Sequence, residues 1–171
     1  MPSQNPSTVN DSMKTIYLKY ESLEDSKQRL TLEVFYWASF IGRNDIVNCL
    51  IKLGYSPLVK PHKFLLNAVF GAVRGNQYET LKLILSYNYI STNYKEFEKG
   101  KEAQNFNGNT VMHFAYLYQS EKIAKLLEDN GFNDQVKIKR NNRGLLPVDM
   151  NHRADMIEAF EERAQLMRLT N

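Results

Sequence analysis

The sequence predicts an all-α fold: a solenoid of helix-turn-helix repeats with a capping helix at each end. Three observations carry this. One phrase occurs three times, as ASFIGRNDIVNCLIKLG over residues 38–54, AVRGNQYETLKLILSYN over 72–88 and AYLYQSEKIAKLLEDNG over 115–131. Each copy opens on a small residue (Ala38, Ala72, Ala115), places an apolar pair near its end (Leu50–Ile51, Ile84–Leu85, Leu126–Leu127) and closes on Gly54, Asn88 or Gly131. The closing residues are 34 and 43 positions apart, and a period near ~33 residues is the signature of a repeat protein. Finally, a hydrophobic share of 43% with 12% aromatics is enough for a packed core. Such repeats bury a core between neighbours and mostly present a binding surface.

The elements follow in order. Residues 1–12 read as a polar tail with Pro2 and Pro6. Met13, Ile16, Tyr17, Tyr20 and Leu23 recur at helical spacing after Ser12, a possible cap, so 13–25 is expected to be an N-terminal capping helix. The first repeat spans 26–60. Ser26 is expected to cap a helix with Leu30, Val34, Ala38 and Ile41 on its apolar face, broken at Gly42-Arg43-Asn44. Asp45 is expected to cap the next helix, with Ile46, Val47, Leu50 and Ile51 inward, and Gly54 ends it. The second repeat spans 61–106, with helices Phe64–Val73 and Tyr78–Tyr87 about a turn at Gly75-Asn76. The longer second step implies an inserted, exposed loop at 91–104, rich in Lys, Glu and Asn. The third repeat, 107–140, has Ser120–Asn130 as its second helix. Residues 141–171 read as a degenerate fourth repeat and C-terminal cap. There Ile157, Phe160, Ala164 and Met167 share one face, opposite Glu161, Glu162, Arg163 and Arg168.

Composition narrows the chemistry. The lone Cys49 excludes an intrachain disulfide framework and a multi-cysteine zinc site, and its expected inward position makes it a small buried hydrophobe. His62 and His152 have no His or Cys three or four residues away to form a helical metal pair. Gly71, Gly75 and Gly108 fit no phosphate-cradling loop. No catalytic constellation is present, so no enzymatic activity, cofactor or metal is expected. The longest apolar run, around 34–41, is too short to span a bilayer. The opening MPSQNPSTVN lacks the charged-then-apolar layout of a secretory signal, which with a single cysteine makes a reducing, cytoplasmic setting the expectation. Net charge is +3 and the pI is about 8.9. Lys137, Lys139, Arg140 and Arg143 form the densest basic patch. They read better as a solvated tip or an acidic-protein contact than as a phosphate-binding stripe.

The motifs also resemble a family. Asn107-Gly-Asn-Thr-Val-Met-His113-Phe-Ala115 resembles the ankyrin-repeat opening Asp/Asn-x-x-Gly-x-Thr-Pro-Leu-His-x-Ala. Gly42-Arg-Asn-Asp-Ile46-Val47-Asn-Cys-Leu50-Ile51-Lys-Leu-Gly54 is similar to the second half of that repeat. Asn142-Arg-Gly144-Leu-Leu-Pro147-Val-Asp149 looks like the opening again, with Asp in the His place. The resemblance covers roughly residues 28–155. The second repeat departs from it with Asn67-Ala-Val-Phe70 and the first with Glu33-Val-Phe-Tyr36. The third has Val111 in place of Pro and Gln119 in place of Gly.

The resemblance implies a structural motif of Gly42, Gly54, Gly108, Thr110, His113, Gly131, Gly144, Pro147 and Asp149. In it, His113 and Thr110 stitch one repeat's turn to the next. It also implies that the first helices line a concave face. Trp37, Phe40 and Ile41 then align with Gly71, Arg74 and Gly75, and with Phe114, Leu117 and Tyr118. The expected partner groove is Trp37, Phe40, Ile41, Arg74, Phe114, Leu117 and Tyr118, with Trp37 equally readable as core. Turn tips are expected at Arg29, His62, Lys63, Phe106 and Arg143. The implied function is protein–protein recognition by a small scaffold or adaptor subunit; the polar tail 1–12, the charged insert and the amphipathic C-terminal segment add the expectation of a place in a larger assembly, cytoskeletal or ciliary in setting. The partners would be one or more proteins, with no small-molecule substrate and no membrane insertion. The alternatives are a regulator that inhibits an enzyme or transcription factor, and a nucleic-acid binder using the basic turn Lys137–Arg143.

Overall fold

The computed structural model describes residues 25–61, 66–87, 99–132 and 137–150, together with Phe160 and Ala164. Helix α1 covers 25–41. It is followed by α2 (Asn44–Lys52), α3 (Ala68–Arg74), α4 (Tyr78–Ser86), α5 (Val111–Leu117) and α6 (Glu121–Asp129), and by a 3-10 turn at Pro147–Asp149. Among the described residues there is no strand.

The repeated phrase is a pair of helix ends. The turns joining α1 to α2, α3 to α4 and α5 to α6 each place one residue in the left-handed region: Gly42 at φ 79°, Asn76 at 54° and Gln119 at 53°. The following N–H, of Arg43, Gln77 or Ser120, donates to the carbonyl of Ala38, Ala72 or Ala115 at 2.8, 2.8 and 3.1 Å. That is the six-to-one closure of a Schellman cap. The small residues that open each copy are therefore the acceptors that close its turn. The second helices end the same way at Gly54 and Gly131, where Tyr55 N–H reaches Leu50 and Phe132 N–H reaches Leu127.

The first helices form one row, with α3 on α5 and α5 on the 3-10 turn. The second helices form another, with α2 on α4 and α4 on α6. Helix α1 joins the first row by close backbone approach. A Cβ on Gly71 would sit 2.5 Å from the Tyr36 carbonyl oxygen, and one on Gly75 would sit 1.9 Å from that of Phe40. Only glycine fits at either place. Phe35, Tyr36, Phe70 and Phe114 fill the core from the first row, and Val47, Leu81, Ile84, Ile123 and Leu127 from the second. Phe70 meets Phe114 edge to face, with ring centroids 6.1 Å apart. In the second row, Thr80 Oγ1 donates to Asn44 Oδ1 at 2.6 Å, and the Tyr87 hydroxyl donates to Asn48 Oδ1.

Several expectations are corrected. Ser26 lies within α1, which already includes residue 25. Asp45 does not cap α2; Arg43 occupies the cap position. Asp45 instead receives the Arg43 guanidinium at 2.9 and 2.7 Å, which holds its carboxyl down at about 2. Helix α3 starts at Ala68, where the Asn67 side chain accepts the Phe70 N–H, and so is shorter than expected. On α1, Leu30, Val34 and Ile41 are exposed, whereas Leu32, Phe35, Tyr36, Ala38 and Ser39 are buried. That helix is apolar on two faces, and periodicity alone cannot choose between them. Cys49 is exposed, not buried. It sits two residues from both Val47 and Ile51, roughly 200° around the helix from Val47 and off the inward stripe. Residues 99–101 of the expected exposed insert are helical. Gly100 is buried there, and its carbonyl accepts from Asn67 Nδ2 at 3.5 Å. Phe160 and Ala164 are exposed, so the expected C-terminal apolar face is not buried at those two positions. The tail 1–12, nearly all of the 13–25 cap, residues 91–98 of the insert, and Ile157 and Met167 lie outside the described residues.

Candidate protein-interaction surface

Two stacked turns, at 104–109 and 140–145, share one pattern of hydrogen bonds. In the first, the Asn105 side-chain oxygen accepts the N–H groups of Asn107 and Asn109 at 3.1 and 2.7 Å. In the second, Asn141 does the same for Arg143 and Leu145, both at 3.0 Å. Asn105 N–H donates to the Asn109 carbonyl and Asn141 N–H to that of Leu145. Gln104 Nε2 donates to the Gly108 carbonyl, and Arg140 Nη1 to that of Gly144. Gly108 and Gly144 have φ of 77° and 78°. Every partner thus recurs at one fixed offset along the chain.

The two turns are bonded to each other. Asn142 N–H donates to the Asn107 carbonyl, Asn142 Nδ2 to that of Phe106, and Asn141 Nδ2 to Asn109 Oδ1. This leaves Phe106, which is 44% exposed, and the exposed Arg143 on adjacent tips.

Behind the turns lies His113, fully buried at the start of α5. Thr110 N–H donates to its Nδ1 at 3.0 Å, and Nε2 lies 3.0 Å from the Leu145 carbonyl oxygen. Nδ1 must accept, so Nε2 carries the proton and donates. Burial pushes the imidazole below its ordinary value, partly offset by the Leu145 carbonyl. Protonated Nδ1 would also confront an N–H. This neutral, fully engaged histidine joins the start of α5 to the following turn. Asp149 matches half of it: its Oδ2 accepts the Leu146 N–H at 2.9 Å beside buried Pro147.

The expected groove is only partly open. Arg74, Phe114 and Leu117 are buried, at 4%, 0% and 1% exposure. Arg74 donates from Nη1 to the Tyr36 hydroxyl at 3.3 Å and lies 4.9 Å from the Phe114 ring centroid. It thereby spans all three first helices as an internal tie. Trp37, Phe40 and Tyr118 are half-buried and Ile41 is exposed. Of the expected turn tips, Arg29 lies on α1 rather than on a turn, and His62 and Lys63 lie outside the described residues. The sequence reading missed the role of Asn105 and Asn141. The available signal was Asn two residues after Ala103 and Lys139 in the run leading into each glycine.

In the basic turn, Lys137 pairs with Glu128 at 2.7 Å. Lys139 Nζ lies 3.3 Å from the Glu102 carbonyl and 4.0 Å from its carboxylate. Among the described residues, no cluster of His, Cys, Asp or Glu could hold a metal ion, and no helix is long and apolar enough to cross a membrane. No family model matches the chain, and no curated protein matches it either.

Proposed function

We propose that the chain is an ankyrin-type solenoid that binds another protein and catalyses nothing. The stacked turns carry this reading. Their side chains are spent on bonding one turn to the next, so the tips are presented on a rigid frame rather than on floppy loops. Phe106 and Arg143 at those tips, with Phe40 and Tyr118 along the first-helix row, supply the residue types that dominate binding energy at protein interfaces. A small scaffold or adaptor subunit is the role this surface suits. An intracellular, cytoskeletal or ciliary setting agrees with the sequence.

The test is site-specific photo-cross-linking in the source cell, with the reactive group at position 106, 118 or, as a control, 49 on the exposed flank of α2. Adducts to another protein from 106 and 118 but not from 49 are expected. Equal labelling from all three, or none from 106 and 118, overturns the reading.

A further inference from the structure

We propose that the protein recognised by this chain offers it an extended, carboxylate-bearing segment, which lies along a basic edge formed by three stacked loops. The proposal rests on the recognition reading and deepens it by naming the partner's chemistry.

The loop segments are 57–61, 99–109 and 137–145, and hydrogen bonds stack them in that order. Asn67 Nδ2 donates to the Leu58 and Gly100 carbonyls at 3.3 and 3.5 Å, which ties the first to the second. A Cβ on Gly100 would stand only 2.9 Å from that of Leu58, so the two segments touch. Lys139 Nζ donates to the Glu102 carbonyl at 3.3 Å and Gln104 Nε2 to that of Arg140 at 3.4 Å, which ties the second to the third. Packed helices stand roughly 8–10 Å apart, so three repeats give an edge of about 20 Å. About six extended residues cover that length.

Positive charge gathers on this edge. The first segment carries Lys60, the second Lys99 and Lys101, and the third Lys137, Lys139, Arg140 and Arg143. Glu102 is the only acidic residue in the three. The adjoining sequence at 62–65, 88–98 and 133–136 adds Lys63 and Lys95 against Glu96, Glu98 and Asp134, so the excess stands. At the other end of the helices, the turns 41–45, 75–79 and 118–122 hold Arg43 and Lys122 against Asp45, Glu79 and Glu121. A net charge of +3 over the whole chain thus hides one strongly basic side.

Four of these cations face solvent. Lys60, Lys99, Arg140 and Arg143 are exposed, whereas Lys137 is paired with Glu128 and Lys139 lies against Glu102. Like charges gathered on one edge raise its potential and draw in a partner of opposite sign. Phe106 stands among them, 44% exposed, and supplies an apolar anchor. Single-stranded nucleic acid fits less well. It calls for several aromatic stacking platforms, and Phe106 is the only aromatic in the three segments. Arg140 also commits Nη1 to the Gly144 carbonyl, which takes up part of the fork that grips phosphate.

The experiment is selection of random peptides of about twelve residues, twice the length of the edge, displayed on phage against the full chain. The selected pool should be enriched in Asp and Glu and depleted of Lys and Arg. The commonest peptide, titrated by fluorescence anisotropy, should bind at least ~10-fold more weakly to Lys60→Glu with Lys99→Glu. Both side chains are exposed, so the helical circular dichroism and urea midpoint should not move. Binding should also weaken at least ~10-fold between about 0.05 and 0.5 M salt.

A pool without acidic enrichment overturns the proposal, as does binding that Lys60→Glu with Lys99→Glu leaves unchanged. Tighter binding of a single-stranded oligonucleotide, or of phosphatidylserine vesicles, at the same salt overturns it too. Intact cross-linking from positions 106 and 118 beside a pool without acidic enrichment leaves the recognition reading standing and removes only this inference.

Discussion

His113 Nε2 lies 3.0 Å from the Leu145 carbonyl oxygen, 32 residues further along the chain. Through its other nitrogen the same ring holds the N–H of Thr110, so one side chain starts α5 and anchors the next turn. His113→Ala would leave the buried Thr110 N–H and the part-buried Leu145 carbonyl without these partners. The expected loss is about 3 kcal/mol of unfolding free energy, read from urea denaturation. A loss under about 0.5 kcal/mol would show that the stitch carries no stability.

The same geometry sets a pH dependence. The folded-state pKa of His113 is lowered by burial, so the unfolded chain binds the proton more readily. The contribution is complete above the ordinary histidine value of about 6.5 and shrinks as pH falls below it toward the lowered folded value. Urea midpoints measured from pH 7.5 down to 5.5 should fall for the natural chain. They should fall less for His113→Gln, which separates this residue from the other histidines. Parallel curves would refute the assignment.

Two glycines should respond differently to the same change. Gly75→Ala drives a Cβ to 1.9 Å from the Phe40 carbonyl oxygen, so α1 and α3 must separate. Gly54→Ala meets nothing within 4 Å and suffers only from its φ of +90°. Thermal or urea unfolding should show about 3 kcal/mol or more lost for Gly75→Ala and about 1 kcal/mol for Gly54→Ala. A reversed order would contradict the close approach of the two helices.

Gln119 marks a place where the chain can be improved. It holds φ 53° in the turn where Gly42 performs the same task. Gln119→Gly should raise stability by about 0.5–1 kcal/mol in the same assay, by removing the left-handed penalty of a residue with a Cβ. A loss of stability would mean that the Gln119 side chain contributes more than its backbone costs.

The turns were legible in the sequence because their chemistry is local. Gly42, Gly54 and Gly131 take the left-handed position at three of the caps, and Ala38, Ala72 and Ala115 are the acceptors that close the turns between paired helices. The turn at Gly75-Asn76 was also expected, whereas Gln119 hides the same cap because its geometry, not its residue, is what repeats. The side of α1 that packs inward was not legible. Leu30, Val34 and Ile41 are as apolar as Leu32, Phe35 and Tyr36, and only the glycines of α3 settle which side is approached. Arg74 misled for a related reason. A charged residue in the first-helix row reads as solvent-facing, yet the Tyr36 hydroxyl and the Phe114 ring receive it inside. Cys49 was read as core from an expected inward helical position, while its angle around α2 relative to Val47 places it outside. Of the proposed surface, Phe106, Arg143, Phe40 and Tyr118 were all named from the sequence, and each keeps a side chain at least partly in reach of solvent.

The central claim is that rigid turn tips recognise another protein. Its most direct measurement is the dissociation constant of the protein captured by cross-linking, for the natural chain and for Phe106→Ala combined with Arg143→Ala. A weakening of at least ~10-fold with an unchanged urea midpoint is predicted. Unchanged affinity in the folded double variant would contradict it.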